Sequence, residues 1–162
     1  MKKVLIIHGP NLGMLGRRNP EIYGTDTQDD LVKRVKEECG PDTAVELVQS
    51  NHEGVLVDKL NDVVQREYKG QGDIAGILIN PAALTHTSIA IRDAVEMIVE
   101  ALIPIVEVHL SNIAAREDFR KHSLISDIVN SSISGLGAAG YSAAARTLIQ
   151  HIENKQPQGT SK

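Results

Sequence analysis

The sequence predicts a doubly wound α/β fold in which five parallel strands form one sheet and helices cover both faces, giving three layers (αβα). Two observations support this prediction. Short apolar runs rich in Ile and Val recur along the chain, as is typical of buried parallel strands, and helix-length segments separate them, as parallel crossovers require. The predicted strands span residues 4–7, 44–48, 74–79, 103–108 and, with fewer apolar positions, 128–133.

Capping residues and apolar periodicity predict four helices. Thr27 and Asp30 have the spacing of a capping box, and the helix that they begin should end at Gly40. Ser88 can cap a helix over residues 89–101, which is apolar on most sides and should be buried against the sheet or a partner subunit. The other two are predicted from apolar residues at helical spacing, namely Leu56, Leu60 and Val64 for one and Tyr141, Ala145, Leu148 and Ile152 for the last.

Length and composition limit the possible classes of protein. With 162 residues, 41% of them hydrophobic, the chain suits one domain over residues 1–153 and a polar, disordered tail at 154–162. The 17 basic and 21 acidic residues provide no general attraction for nucleic acid or acidic lipid. A single cysteine, Cys39, excludes an internal disulfide, and no apolar run approaches the ~20 residues of a membrane span. A cytoplasmic protein is therefore expected.

Three glycines near the C-terminus imitate a nucleotide-binding motif. Gly135, Gly137 and Gly140 spell G-x-G-x-x-G between a predicted strand and a predicted helix. The true fingerprint needs an acidic residue about 20 positions further on, where this chain has Thr160, and a second βαβ half that the sequence lacks. We therefore interpret these glycines as allowing close packing between strand and helix.

Polar residues end the fourth strand, where sheets of this class bind ligands. Glu107 and His109 are two positions apart, so their side chains should lie on the same face of the strand. A carboxylate beside an imidazole fixes its tautomer and favours its protonation, which suits a proton donor or acceptor. The alternative is a buried histidine whose neighbour merely satisfies its hydrogen-bonding capacity.

Further candidate binding groups lie in two other motifs. Arg116 and Arg120 are four apart, so on a helix they would share a face and could hold a carboxylate or a hydroxyl-rich substrate; alternatively, they are a solvated surface pair. In NPAALTHTS, Asn80 provides an amide, His86 a ring nitrogen, and Thr87 or Ser88 a helix cap with free backbone amides for an anion. His86 could instead be a residue of the capping region without a binding role.

Within the stretch HGPNLGMLGRRNPEIYG (8–24), a long loop over about residues 9–24 is predicted to be a lid over the site. Arg18 lies close to Tyr23 in the sequence, and a nearby cation favours phenolate over phenol, which would make Tyr23 a base at neutral pH. The alternative is that Tyr23 packs the loop onto the protein.

These groups together suit the movement of protons on a small polar anion. The sequence has no nucleophile elbow and no lysine within an apolar strand for Schiff-base chemistry. Two rival classes remain open. A metal-dependent hydrolase could use several histidines, although H-x-x-E-H and C-x-x-C spacings are absent, and a binding module would keep the anion site without proton carriers. The candidate metal ligands are His8, His86, His109 and His122.

A set of ordered motifs covering about residues 3–150 resembles the type II 3-dehydroquinate dehydratases. The resemblance implies a flavodoxin-like fold and a lyase that dehydrates 3-dehydroquinate to 3-dehydroshikimate, in the shikimate pathway or in quinate breakdown. It also implies that no metal or cofactor is used and that trimers assemble, commonly as a homododecamer. The motifs are GPNLGMLGRR, PEIYG, SNHEG, NPAALTHTS, IRDA, VEVHLSN, ARE and RKHS.

The resemblance also assigns catalytic roles to residues of this sequence. Tyr23 would take the C2 proton of the substrate, with Arg18 holding it as tyrosinate. Asn11 would help to stabilise the enolate oxygen through an ordered water. His109 would protonate the departing hydroxyl while Glu107 orients its ring.

The same resemblance implies a set of binding residues. The backbone of Leu110 and the side chain of Ser111 would bind the substrate carboxylate. Arg116 would be a second cation near Tyr23, and Asp93 would approach the site of a neighbouring subunit. The groups that would bind the ring hydroxyls are Asn80, His86 and Arg120.

Four positions depart from the usual pattern of the family without removing a proposed proton carrier. The change in the lid replaces a glutamate by asparagine, so a carboxylate beside Arg18 is lost. The departures are His8 for asparagine, Asn19 for glutamate, Ala114 for histidine and Leu124 for tyrosine.

Overall fold

The computed structural model, which describes residues 2–17, 21 and 24–155, confirms the predicted five-stranded parallel sheet. The strand order is β2-β1-β3-β4-β5, so the direction of winding reverses between β1 and β3. This order is that of flavodoxin-like folds, which bind ligands at the reversal. The strands are β1 (Lys3–His8), β2 (Ala44–Gln49), β3 (Ile74–Asn80), β4 (Ile105–His109) and β5 (Ser131–Ser134).

The described residues also contain the four predicted α-helices. The predicted caps are confirmed: the Thr27 hydroxyl accepts from the Asp30 backbone N–H, and the Asp30 carboxylate accepts from the Thr27 N–H. Ser88 likewise accepts from the N–H of Ile91 at 2.8 Å. No helix among these residues is both long and apolar enough to cross a membrane. The helices are α1 (Gln28–Cys39), α2 (Glu53–Tyr68), α3 (Ile89–Glu100) and α4 (Ala139–Lys155).

Alternating side chains of the interior strand β1 pack into two cores, one on each face of the sheet. Leu5 and Ile7 pack with α2 and α3, whereas Val4 and Ile6 pack with α1 and α4. All four side chains are at most 1% exposed, and each contributes about 1.5–3 kcal/mol by leaving water. The three-layer αβα arrangement follows because both faces of the sheet are apolar.

The chain between β4 and β5 differs from the sequence-based prediction. It crosses over without an α-helix, through two 3-10 helices at Ile113–Ala115 and Asp118–Arg120. Arg116 and Arg120 are therefore not on one α-helix, which was the condition under which their spacing would give them a common face. In this segment the Asn112 carboxamide oxygen accepts a hydrogen bond from the Ala114 N–H. Such local bonds from side chain to backbone compete with the backbone hydrogen bonds of an α-helix.

Two strands begin more than one residue later than predicted, whereas the other strand ends agree within one residue. β4 begins at Ile105 rather than at residue 103, because Pro104 has no N–H to donate to a neighbouring strand. β5 begins at Ser131 rather than at residue 128, because Ile128 and Val129 pack against the core below the sheet edge instead of pairing with β4.

The glycine pattern after β5 has a different physical reason from the one predicted. Gly135 and Gly137 have φ of 84° and 57°, a left-handed backbone that side chains disfavour. A Cβ at Gly140 would meet its nearest neighbour, Leu136, at an ordinary 3.5 Å. Backbone conformation therefore accounts for Gly135 and Gly137. At Gly135 a Cβ would in addition lie 3.1 Å from the Cβ of Asn112, which is in the β4–β5 crossover and not in the helix.

One close approach does demand glycine. A Cβ on Gly9, just after β1, would lie 2.1 Å from the backbone oxygen of Pro81, just after β3. The two loops that leave the central strands can therefore touch only if residue 9 has no side chain.

We expect Gly9→Ala to lower the free energy of unfolding by at least about 2 kcal/mol, since a methyl group in occupied space forces backbone shifts. Gly54→Ala is the matched control, because a Cβ there meets nothing within 4 Å and alanine favours the helix. Urea denaturation of both variants measures the effect. Equal stability of the two variants would contradict this account.

Candidate active site

A pocket lies beyond the carboxyl ends of β1, β3 and β4, at the reversal of strand order. Three segments form it: the loop after β1, the 3-10 helix after β3 (Ala82–His86), and the first part of the β4–β5 crossover. Most of the predicted site residues in the described part of the chain are gathered here. Those that line the pocket are Asn11, Asn80, His86, His109, Leu110, Ser111, Arg116 and Arg120.

The loop after β1 is held in place by the end of β2. The N–H of Asn11, which has a left-handed φ of 68°, donates to the Asn51 side-chain oxygen at 2.9 Å. Gln49 donates to the same oxygen at 3.2 Å and to the Gly9 carbonyl at 3.3 Å. The motif SNHEG therefore supports the position of Asn11, a role that the residue types alone did not indicate.

The predicted pair at the end of β4 is a direct hydrogen bond inside the protein. His109 Nε2 lies 2.7 Å from Glu107 Oε1, and the two residues are 5% and 0% exposed. Two serines that the sequence analysis missed also donate to this carboxylate: Ser123 Oγ to Oε1 at 2.6 Å, and Ser126 Oγ to Oε2. Glu107 therefore has hydrogen-bond donors on both oxygens.

These contacts favour the ionised form of Glu107. Burial by itself raises the pKa of Glu107, but the hydrogen bond and positive charge of His109, with the two serine hydrogen bonds, hold that pKa below its usual value. An ionised carboxylate only accepts, so Nε2 of His109 must carry a hydrogen. A proton can then be exchanged with a ligand in the pocket only through Nδ1.

The tautomer of His86 follows from its one hydrogen bond in the same way. Its Nδ1 lies 2.8 Å from the backbone oxygen of His122, and a carbonyl only accepts, so Nδ1 carries the hydrogen. In a neutral ring Nε2 is then an acceptor. His86 lines the pocket and can accept from a hydroxyl group of a ligand.

Although they do not share a helix, Arg116 and Arg120 both line the pocket. Glu117 lies between them, with Oε1 at 3.2 Å from Arg120 Nη1 and Oε2 at 3.5 Å from Arg116 Nε. Arg116 Nη1 also donates to Ser111 Oγ at 3.3 Å. Two guanidinium groups therefore give this end of the pocket a positive charge suited to an anion.

Arg18, Asn19 and Tyr23 are outside the described residues. Asp93 is exposed on α3 and does not line the pocket of its own chain; its predicted role is at the site of a neighbouring subunit. Within residues 2–17, 21 and 24–155, no group of three or more His, Cys, Asp or Glu side chains could hold a metal ion.

His8 is the other histidine buried near the pocket, with 0% exposure. Its Nδ1 lies 2.8 Å from Gln28 Nε2, and its Nε2 lies 2.7 Å from the Tyr141 hydroxyl. Burial lowers the pKa of His8 from 6.5 to about 4, because a charged ring would lose its hydration. His8 is therefore neutral at physiological pH.

This pKa predicts a loss of stability in acid. Between pH 6.5 and 4 the unfolded chain binds a proton at residue 8 that the folded protein does not, so stability falls as pH falls, by about 3 kcal/mol over that interval. His8→Gln, which cannot titrate there, should lose about 3 kcal/mol less between pH 7 and 4.

The measurement is chemical denaturation at both pH values. His52→Gln, a change at an exposed position, is the matched control and should follow the wild type. If His8→Gln has the same pH dependence as the wild type, the ring of His8 is not buried in its neutral form.

Comparisons with known proteins identify the family. The model of the family described as dehydroquinase class II matches residues 2–149. The 3-dehydroquinate dehydratase of Psychromonas ingrahamii is 46% identical over 153 residues, covering 94% of this chain and 96% of that protein. The catabolic 3-dehydroquinase of Phaeosphaeria nodorum is 44% identical over 155 residues, covering 95% of each.

Comparison with solved structures supports the same family. The type II dehydroquinase from Propionibacterium acnes superposes with a TM-score of 0.79 at 41% identity, covering 93% of this chain and 97% of that one. A 3-dehydroquinate dehydratase-like protein from Bifidobacterium longum gives a TM-score of 0.63 at 26% identity, covering 94% and 99%. With a family match over residues 2–149 and a shared fold, this chain belongs to the class II dehydroquinases.

Proposed function

We propose that this class II dehydroquinase removes water from 3-dehydroquinate to give 3-dehydroshikimate, with Tyr23 as a tyrosinate base, His109 as the acid and an enolate between the two steps. The observation that carries the proposal is the buried Glu107–His109 pair at the edge of a cationic pocket. The relatives are named 3-dehydroquinate dehydratase and catabolic 3-dehydroquinase, and the same reaction would serve the shikimate pathway or quinate breakdown.

His109 supplies the acid. In its protonated form the ring donates through Nε2 to Glu107, and Nδ1 holds the proton that leaves with the C1 hydroxyl as water. The ionised carboxylate stabilises the charged ring before the transfer and orients it throughout. General acid catalysis of this kind contributes about 10²–10⁴ in rate.

Tyr23 removes the C2 proton on the face opposite the departing hydroxyl, and the electrons of that C–H bond form the enolate. Arg18 would keep the phenol ionised, and Arg116, which lines the pocket, adds a second positive charge that favours phenolate. Asn11 would stabilise the enolate oxygen through a water, and its position at the pocket suits that role.

Groups around the pocket match the rest of the substrate. The backbone of Leu110 and the Ser111 hydroxyl would bind the carboxylate, with the nearby guanidinium groups favouring an anion there. His86 has its acceptor Nε2 for a ring hydroxyl, and Asn80 and Arg120 provide donors for the others. No step requires a metal or a cofactor.

The proposed assembly is a homododecamer of trimers, in which Asp93 approaches the site of a neighbouring subunit. In the single chain, Ile89 and Met97 of α3 are 66% and 37% exposed, so the helix that carries Asp93 has apolar surface available for a subunit contact. We place the enzyme in the cytoplasm, since one cysteine allows no internal disulfide.

We expect His109→Ala and Tyr23→Phe each to lower kcat by about 10²–10⁴, because each removes a proton carrier. The assay follows the rise in ultraviolet absorbance as the conjugated enone forms. Tyr68→Phe, at an exposed position far from the pocket, is the control and should retain full activity.

Adding a chelator or borohydride to the assay distinguishes this reaction from metal-dependent hydrolysis and from Schiff-base chemistry. Activity should persist in the presence of a chelator, whereas a metal-dependent hydrolase would lose its activity. Borohydride added with substrate should not inactivate the enzyme, because no imine forms. Pure wild-type protein that gives no absorbance rise, or variants that keep it unchanged, would refute the mechanism.

The proposed dodecamer can be tested separately from the reaction. The native mass in solution, measured by light scattering, should be twelve times that of the 17.6 kDa chain. Asp93→Ala should lower the activity while leaving the thermal stability of the chain close to that of the wild type. A monomer with full activity would exclude a site shared between subunits.

A further inference from the structure

His8 and Tyr141 have no part in the proposed reaction, yet both are polar and both are 0% exposed. Buried polar groups are costly unless they are hydrogen-bonded. The partners of these two side chains lead directly to Asn80, which lines the pocket.

The sheet brings the three side chains together. His8 and Asn80 are the last residues of β1 and β3 and are paired in the parallel register. They have the same parity as Ile6 and Leu78, so they point to the face of the sheet that α1 and α4 cover. Tyr141, in the first turn of α4, packs over them, with its ring edge-on to that of His8 at 5.5 Å between centroids.

The direction of each hydrogen bond can be assigned. Gln28 Nε2 only donates, so Nδ1 of His8 accepts at 2.8 Å. The neutral ring then has its hydrogen on Nε2, which donates to the Tyr141 hydroxyl oxygen at 2.7 Å. That oxygen also accepts from Asn80 Nδ2 at 3.2 Å.

These bonds define which way the carboxamide of Asn80 faces. Its Oδ1 accepts from the Ala82 N–H at 3.1 Å while its Nδ2 donates to Tyr141. Rotating the amide by 180° would place its NH₂ group against the Ala82 N–H, donor against donor. One hydrogen of Nδ2 is used by Tyr141, and the second is left for a ligand in the pocket.

We propose that His8 and Tyr141 are positioning residues, which act through Asn80 by holding its amide nitrogen as a donor to a substrate hydroxyl. The inference rests on the proposed function, because it uses Asn80 as a binding residue. Tyr141 provides the acceptor, and His8, anchored to the first turn of α1 by Gln28, keeps the tyrosine oxygen directed at Asn80.

The test separates positioning from simple structural support by comparing KM with kcat. Tyr141→Phe removes the hydroxyl oxygen that accepts from Asn80. His8→Leu removes the Nε2–H that donates to this oxygen and leaves a side chain of similar bulk. Each should raise KM about tenfold, the usual effect of one lost hydrogen bond, with kcat little changed. His8→Gln should restore most of the lost affinity, since its amide nitrogen extends about as far from the backbone as Nε2.

A double-mutant cycle with Asn80→Ala decides whether the effect passes through Asn80. In that background Tyr141→Phe should raise KM no further, whereas general loosening of the fold would raise it again. Thermal unfolding of each variant monitors folding, and Tyr68→Phe is the control. If Tyr141→Phe does not fold, His8→Leu in the two backgrounds gives the same comparison.

Three results would overturn the inference. Tyr141→Phe and His8→Leu with wild-type KM would show that the contacts do not position Asn80. An equal rise in KM with and without Asn80 would show that they act elsewhere. A wild-type protein without dehydratase activity would remove the proposed function as well, whereas the first two results leave that function intact.

Discussion

The structure depends on the direct parallel pairing of β1 with β3, the point at which the winding of the sheet reverses. Because the loops that leave two adjacent strands here go to opposite faces, a space opens beyond their ends. The pairing brings Gly9 and Pro81 so close that a single methyl group would not fit. It also places His8 beside Asn80 in register, so the pocket and its supporting hydrogen bonds have one common origin.

The second constraint is the cost of burying Glu107. An ionised carboxylate with no exposure is unfavourable unless its oxygens are hydrogen-bonded, and three donors meet that need. Two of them, Ser123 and Ser126, lie in the β4–β5 crossover, and Arg92 of α3 holds the same segment through Asp127. The irregular path of the crossover is thereby explained, since it brings the serines to the carboxylate and the arginines to the pocket.

Local patterns predicted the parts of the fold that have local causes. The capping box at Thr27 and the cap at Ser88 involve residues three apart, and the strands follow from runs of apolar side chains. The pairing of Glu107 with His109 was also predictable, because alternation along a strand fixes which side chains share a face. The path of the crossover was not predictable, since the spacing of Arg116 and Arg120 is compatible with a helix, whereas the chain forms two 3-10 helices there.

The sequence by itself determined the fold class, the ends of two of the four described helices, the family resemblance and about half of the residues that line the pocket. Only the tertiary structure decided which groups support them: the serines on Glu107, the orientation of Asn80, and the depressed pKa of His8. The physical reason is distance along the chain. His8 and Tyr141 are 133 residues apart, and a hydrogen bond between such residues depends on how helices pack on the sheet, which no local pattern records.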